Sequence, residues 1–205
     1  MFKPLYVFDM DETLINADAA MLWNEFLVEK GIATAPNFIE EDQRLMGLYS
    51  EGKLNMEDYL TFAMQPLADM PTEQVTALVE ECVEHHILPK QFKQSKPLIK
   101  QLENDDIDML IISASVTFLV EAVGRKIGIE NALGIDLVEN QGRFTSQISG
   151  VPSYREGKVT RLKEWLRFDL ERLSDLPKAI EVDATRLTAR FAKTNRADQH
   201  LFNRV

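Results

Sequence analysis

Leu5, Tyr6, Val7 and Phe8 form an unbroken apolar run that stops at Asp9. A run without alternation is the pattern of a parallel strand covered on both faces. From about Ala19 to Leu88 the apolar positions recur at helical spacing, with Leu22, Trp23, Phe26 and Leu27 in one stripe and Tyr59, Leu60, Ala63 and Met64 in another. Breaks at Gly31, at Ala35 and Pro36, at Gly52 and at Asp69 to Pro71 predict about four helices there, the last opening with a Thr72 cap. Strand and helix then alternate. Lys96 to Glu103 reads as a helix, Ile107 to Ile112 as a second buried strand, and Val116 to Ile127 as the helix after it. Ile135 to Val138 and Arg143 to Ile148 flank Asn140, Gln141 and Gly142, the composition of an antiparallel hairpin. Gly157 to Leu166 predicts a helix, Ala179 to Val182 a short strand, and Arg186 to Lys193 a polar helix. The simplest arrangement is an α/β fold, a Rossmann-like parallel sheet flanked by helices, into which a helical bundle is inserted after the first strand.

Composition narrows the class. With 205 residues, 45% of them hydrophobic, the chain can bury a substantial core. Its 33 acidic against 23 basic side chains give a net charge of -10, which repels phosphate backbones and argues against nucleic-acid binding. One cysteine, Cys82, closes no internal disulfide and suits a reducing compartment. The apolar stretch Met109 to Val120 is interrupted by polar residues and falls short of the roughly 20 residues of a membrane helix. The apolar core of a secretory signal is absent between Lys3 and Asp9. A cytoplasmic protein without membrane contact is expected, and no feature of the sequence indicates its oligomeric state.

Candidate chemistry begins where the first strand ends. Asp9 and Asp11 emerge at the carboxyl edge of the sheet, where ligands of such folds bind. The bland alternative is a pair of loop or capping acids. Two negative charges two residues apart at a strand end call for a divalent cation, and oxygen ligands suit magnesium better than zinc. One carboxylate can then act as nucleophile while its neighbour moves protons. At the end of the second strand Ser113 offers a hydroxyl, and Ser115 is the natural cap of the helix that follows. Lys158, in Arg155-Glu156-Gly157-Lys158, meets the unfavourable end of a helix dipole unless an anion lies nearby.

The segment Phe8-Asp9-Met10-Asp11-Glu12-Thr13-Leu14 resembles the first motif of the haloacid dehalogenase superfamily, and the similarity points to the subfamily that resembles phosphoserine phosphatase. The resemblance implies a core of residues 1–15 and 91–205 and a helical cap of residues 16–90. It makes Asp9 the nucleophile that becomes an aspartyl phosphate, and Asp11 the acid that protonates the leaving alkoxide and then activates water. It further implies phosphate contacts from Thr13, Ser113 and Lys158, and a magnesium ion held by Asp9, the Asp11 carbonyl and Asp175. The substrate implied is a small phosphorylated metabolite, phosphoserine-like, with Asp18 recognising an amine and Arg44 a carboxylate. A helix cap and a solvated arginine are the bland alternatives for these two.

The fourth motif departs from the pattern. Relatives carry an apolar strand leading to one aspartate and a second about four residues on. Here Glu171 and Asp175 take those places with no apolar run before them, while the alternative register puts Asp183 at a strand end and Leu187 where its partner acid belongs. Losing a metal-binding carboxylate should cost at least the 10- to 100-fold that weaker surroundings cost. The competing reading is therefore a catalytically impaired relative that binds ligands or partners on the same fold. A receiver-type signalling domain fits less well, because its phosphorylated aspartate follows a later strand.

Overall fold

The computed structural model describes residues 5–172, with side chains to residue 166. Its centre is a parallel sheet of β1 (Leu5–Phe8), β2 (Asp108–Val116) and β3 (Asn131–Ile135), in the order β1-β2-β3. The register sets Phe8 opposite Ile111 and Ile112 opposite Leu133, so β1 and β2 end at the same edge. The middle strand is buried, as its unbroken apolar run requires. β1 differs from expectation, because Tyr6 is 42% exposed: among the described residues it is an outer strand with one face covered.

Between β1 and β2 come α1 (Ala19–Glu29), α2 (Phe38–Ser50), α3 (Met56–Met64), α4 (Thr72–Cys82) and α5 (Ser95–Asn104). Gly31 and Gly52 adopt positive φ at 68° and 71° where α1 and α2 end, which explains why both breaks fall on glycine. Thr72 is not the cap of α4: Pro71 precedes the helix in extended conformation and Thr72 opens its first turn. Trp23, Phe26 and Leu27 are buried, and Trp23 stacks on Phe26 at 5.7 Å. They share one core with Val75 and Val79 of α4 and with Leu119, Val120 and Val123 of α6 (Thr117–Ile127). Arg125 and Lys126 reach Glu80 and Glu84 at 2.8 and 2.9 Å, fastening α6 to the α4 region at the surface.

The inserted helices leave and return side by side. Ile15 bridges Gln91, the Asn16 amide donates to the Lys90 carbonyl, and the Phe92 amide donates to the Leu14 carbonyl. Both ends of the insertion are thereby pinned to each other.

Beyond α6 the expected hairpin is revised. Ile135 belongs to β3, a third parallel strand that the pattern did not suggest, and the hairpin is β4 (Leu137–Asn140) with β5 (Arg143–Ile148). Gly134 interrupts the apolar signal of β3, yet a Cβ there would meet the Thr117 backbone at 2.6 Å, so close packing of β3 on α6 accounts for the glycine. Leu137 and Ile148 of the hairpin pack against Tyr59 and Leu60 of α3. Asp136, between β3 and β4, accepts from Thr117 Oγ1 at 2.5 Å and pairs with Arg161 at 2.6 Å.

The last described helix, α7 (Glu156–Arg172), runs past the Leu166 end expected for it. Glu171, which no apolar run precedes, lies in this helix. Asp175, Asp183, the strand over 179–182 and the helix over 186–193 lie outside the described residues. No helix among those described is long and apolar enough to cross a membrane.

Candidate active site

After Phe8 the chain turns sharply: the Leu14 and Ile15 amides both donate to the Met10 carbonyl, and Glu12 takes a positive φ of 53°. This turn holds Asp9 and Asp11 at the sheet's carboxyl edge while burying Met10 and Leu14 beneath them. Asp9 Oδ1 accepts the Met10 amide at 2.8 Å, and Asp9 Oδ2 accepts Lys158 Nζ at 2.7 Å. Lys158 is 6% exposed, so the lysine expected to need an anion near its helix start has one. Removing either partner of so buried a pair would cost about 3–5 kcal/mol.

Asp11 has a different set of neighbours. Its Oδ1 accepts the Ala19 amide at 2.7 Å, and its Oδ2 accepts Ser113 Oγ at 3.0 Å and Ser115 Oγ at 3.3 Å. Burial, with Asp18 and then Asp9 as negative neighbours, pushes its pKa up to about 7, against the opposing pull of the Ala19 amide and the Ser113 hydroxyl. Asp18 caps α1 by accepting the Met21 amide at 3.0 Å, and its carboxyl is also raised, chiefly by burial. The amino end of α1 thus faces two acids, a favourable dipole arrangement.

Ser113 and Ser115 reverse the expectation for them. Ser113 is fully buried behind Asp11, whereas Ser115 lines the cavity and leaves the helix-capping position to Val116. Thr13 does not line the cavity, and its Oγ1 is buried without a hydrogen-bond partner among the described residues. Arg44 is absent from the lining as well. Its guanidinium pairs with Glu41 at 2.7 Å on an exposed face, which is the solvated alternative and not the carboxylate contact.

The cavity, about 220 Å³, brings Asp9, Asp11, Asp18, Ser115 and Lys158 together with Glu12 and the side chains of Met46, Tyr49, Met56 and Tyr59. Sequence reasoning missed Ser115, although it stands two residues from Ser113 and so on the same side of an extended strand. It also missed Tyr59, which occupies a stripe read purely as core.

Among the described residues, no three acidic, histidine or cysteine side chains converge to cage a metal. Asp9, Asp11, Glu12 and Asp18 nonetheless line the cavity with carboxylate oxygens, the donors a hard cation takes, and magnesium needs only one or two protein carboxylates with waters completing its shell.

The sequence profile of the haloacid dehalogenase-like hydrolases matches residues 6–176. The chain belongs to that family. A histidinol-phosphatase from Neisseria meningitidis is 32% identical to this hydrolase over 165 residues, 80% of the chain and 74% of the relative. A phosphoserine phosphatase from Methanocaldococcus jannaschii is 28% identical over 72% of the chain, which spans 63% of that relative's length. A Bordetella pertussis structure of unknown function superposes with a TM-score of 0.73 at 28% identity, covering 82% of this chain and 75% of that one. A phosphoserine phosphatase structure, at 22% identity and a TM-score of 0.58, shares the fold. With relatives of this kind, the haloacid dehalogenase-like chain is a phosphoric monoester hydrolase.

Proposed function

We propose that the chain is a magnesium-dependent phosphatase of small phosphomonoesters that works through an aspartyl phosphate on Asp9. The observation that carries this reading is the Lys158–Asp9 contact at 2.7 Å beside a buried Asp11 that accepts Ser113 Oγ at 3.0 Å and whose carboxyl burial pushes up to about 7. Phosphoryl transfer asks the protein mainly for positioning and charge neutralisation. Lys158 offsets the repulsion between the Asp9 carboxylate and an incoming phosphate. An Asp9 oxygen forms the new bond to phosphorus as the ester oxygen departs. Asp11, protonated, gives its proton to that oxygen. Ionised, it then takes a proton from the water that attacks phosphorus, and phosphate leaves Asp9 free. Ser113 and Ser115 hold the Asp11 carboxyl in place through both steps.

Asp9, the Asp11 carbonyl and Asp175 would hold the magnesium, which would supply charge neutralisation at the phosphoryl oxygens. The insertion, residues 16–90, serves as a cap whose side chains exclude water from the reacting phosphate. Relatives named for histidinol and phosphoserine support a small phosphorylated metabolite as substrate. The lone cysteine, Cys82, is buried and its thiol is pushed up to about 12, in keeping with a structural role in a reducing cytoplasm.

The second reading, ligand binding without turnover, is favoured by the sequence of the fourth motif, where Glu171 and Asp175 follow no apolar run. Phosphate release from p-nitrophenyl phosphate with and without magnesium separates the two. Turnover that needs magnesium and falls by about 10³-fold or more in Asp9→Asn supports the phosphatase. Turnover that survives this substitution defeats it.

A further inference from the structure

The cavity has a charge pattern beyond what phosphate transfer requires. Asp9, Asp11, Ser115 and Lys158 are joined by the contacts described above. The rest of the lining comprises two more acids, Glu12 and Asp18, and a wall that includes Met21, Met46, Tyr49, Leu54, Met56 and Tyr59. Lys158 is the one cationic side chain that lines it among the described residues, and its ammonium is engaged by Asp9. Arg44, on the same helix as Met46 and Tyr49, is turned to solvent with its side chain 57% exposed.

A phosphate has Lys158 to meet it. A second anion on the same substrate would face thioethers, ring carbons and further carboxylates, an environment that disfavours an unpaired negative charge. A protonated amine suits Glu12 and Asp18, and an apolar body suits the methionine and tyrosine wall. We infer that this site selects phosphate monoesters of amino alcohols that carry no carboxylate, and discriminates against amino-acid phosphates. Phosphoserine is thereby a poor substrate despite the likeness of this chain to phosphoserine phosphatases. The inference rests on the phosphatase reading and adds to it the chemistry of the group attached to the ester oxygen.

The test compares kcat/KM for O-phosphoserine, O-phosphoethanolamine and L-phenylalaninol phosphate, with p-nitrophenyl phosphate as the reference ester. Phosphoethanolamine is phosphoserine without its carboxylate, so the pair isolates that group. The expected result is that phosphoethanolamine exceeds phosphoserine by about tenfold or more, with phenylalaninol phosphate above both. Equal or better turnover of phosphoserine, with p-nitrophenyl phosphate also turned over, overturns the inference and leaves the phosphatase intact. If no ester is turned over, both fall together. A second arm uses Met46→Arg, which sets a cation in the half-buried part of the wall. It should raise kcat/KM for phosphoserine selectively, narrowing the gap to phosphoethanolamine at least tenfold. A fall in both substrates alike would show that the wall does not read the carboxylate.

Discussion

Asp9 and Asp11 stand two positions apart, yet the structure gives them opposite surroundings. Asp9 meets an ammonium group, while Asp11 meets an amide, two hydroxyls and two other acids, and this contrast separates a carboxylate able to attack from one able to carry a proton. Both aspartates were legible from their place after an apolar run. Lys158 was legible because a lysine at a helix start needs an explanation. The roles of the two serines were not, since strand alternation and helix capping compete at a strand-to-helix junction and β2 continues to Val116. For Arg44 the solvated alternative holds, and a helical stripe alone does not say which way so long a charged side chain turns. The expected metal acid, Asp175, makes a prediction at this scale: Asp175→Ala should raise the magnesium concentration for half-maximal activity by about 10-fold or more. An unchanged magnesium titration would place the missing ligand elsewhere, with Asp183 the next residue to test.

At the level of elements, the site depends on how α7 is seated. Gly157 precedes Lys158, and a Cβ at Gly157 would lie 1.9 Å from the Pro152 carbonyl oxygen, so any side chain there forces the start of α7 away from the loop. Gly157→Ala should destabilise the fold by about 1–3 kcal/mol. Because a displacement of about 1 Å in a catalytic group can cost 10²-fold, it should also lower kcat by more than the stability loss explains. An alanine variant with unchanged kcat at a temperature where it is fully folded would show that Lys158 needs no such support. The helices of the insertion were readable from their spacing, and Gly31 and Gly52 marked real ends. β3 was not, because Gly134 and Asn131 dilute its apolar signal and its packing on α6 is a tertiary fact. The hairpin was recognised from its turn residues but began two residues later than its apolar pattern indicated, since Ile135 faces the core as part of the parallel sheet.

Across the whole molecule, buried acids tie stability to pH. Asp11 is pushed up to about 7 and Asp42, buried in the insertion with Asn24 donating to it at 2.8 Å, to about 6, in both cases first by desolvation. Unfolded, both titrate near 4. Between about pH 4 and pH 7 the unfolded chain therefore holds fewer protons than the folded one, and stability falls as pH rises, levelling off above the folded values. The net charge of -10 acts in the same direction. Without added metal, the thermal midpoint should be about 5 °C or more higher at pH 5 than at pH 7.5. Asp42→Asn should show a smaller fall over that range, and a midpoint that rises with pH would contradict the assignment of these acids. At this scale the α/β plan and the place of the insertion followed from the order of apolar patterns. The fourth motif did not: no apolar run precedes Glu171, which lies in α7, and Asp175 and Asp183 lie outside the described residues.

The central claim is that Asp9 captures phosphorus. Acid-quenching the protein during turnover of p-nitrophenyl phosphate and weighing its peptides tests this most directly. The peptide that carries Asp9 should gain the mass of one phosphoryl group in the parent and none in Asp9→Asn. Steady turnover with that peptide unlabelled, and phosphate release persisting in Asp9→Asn, would contradict it.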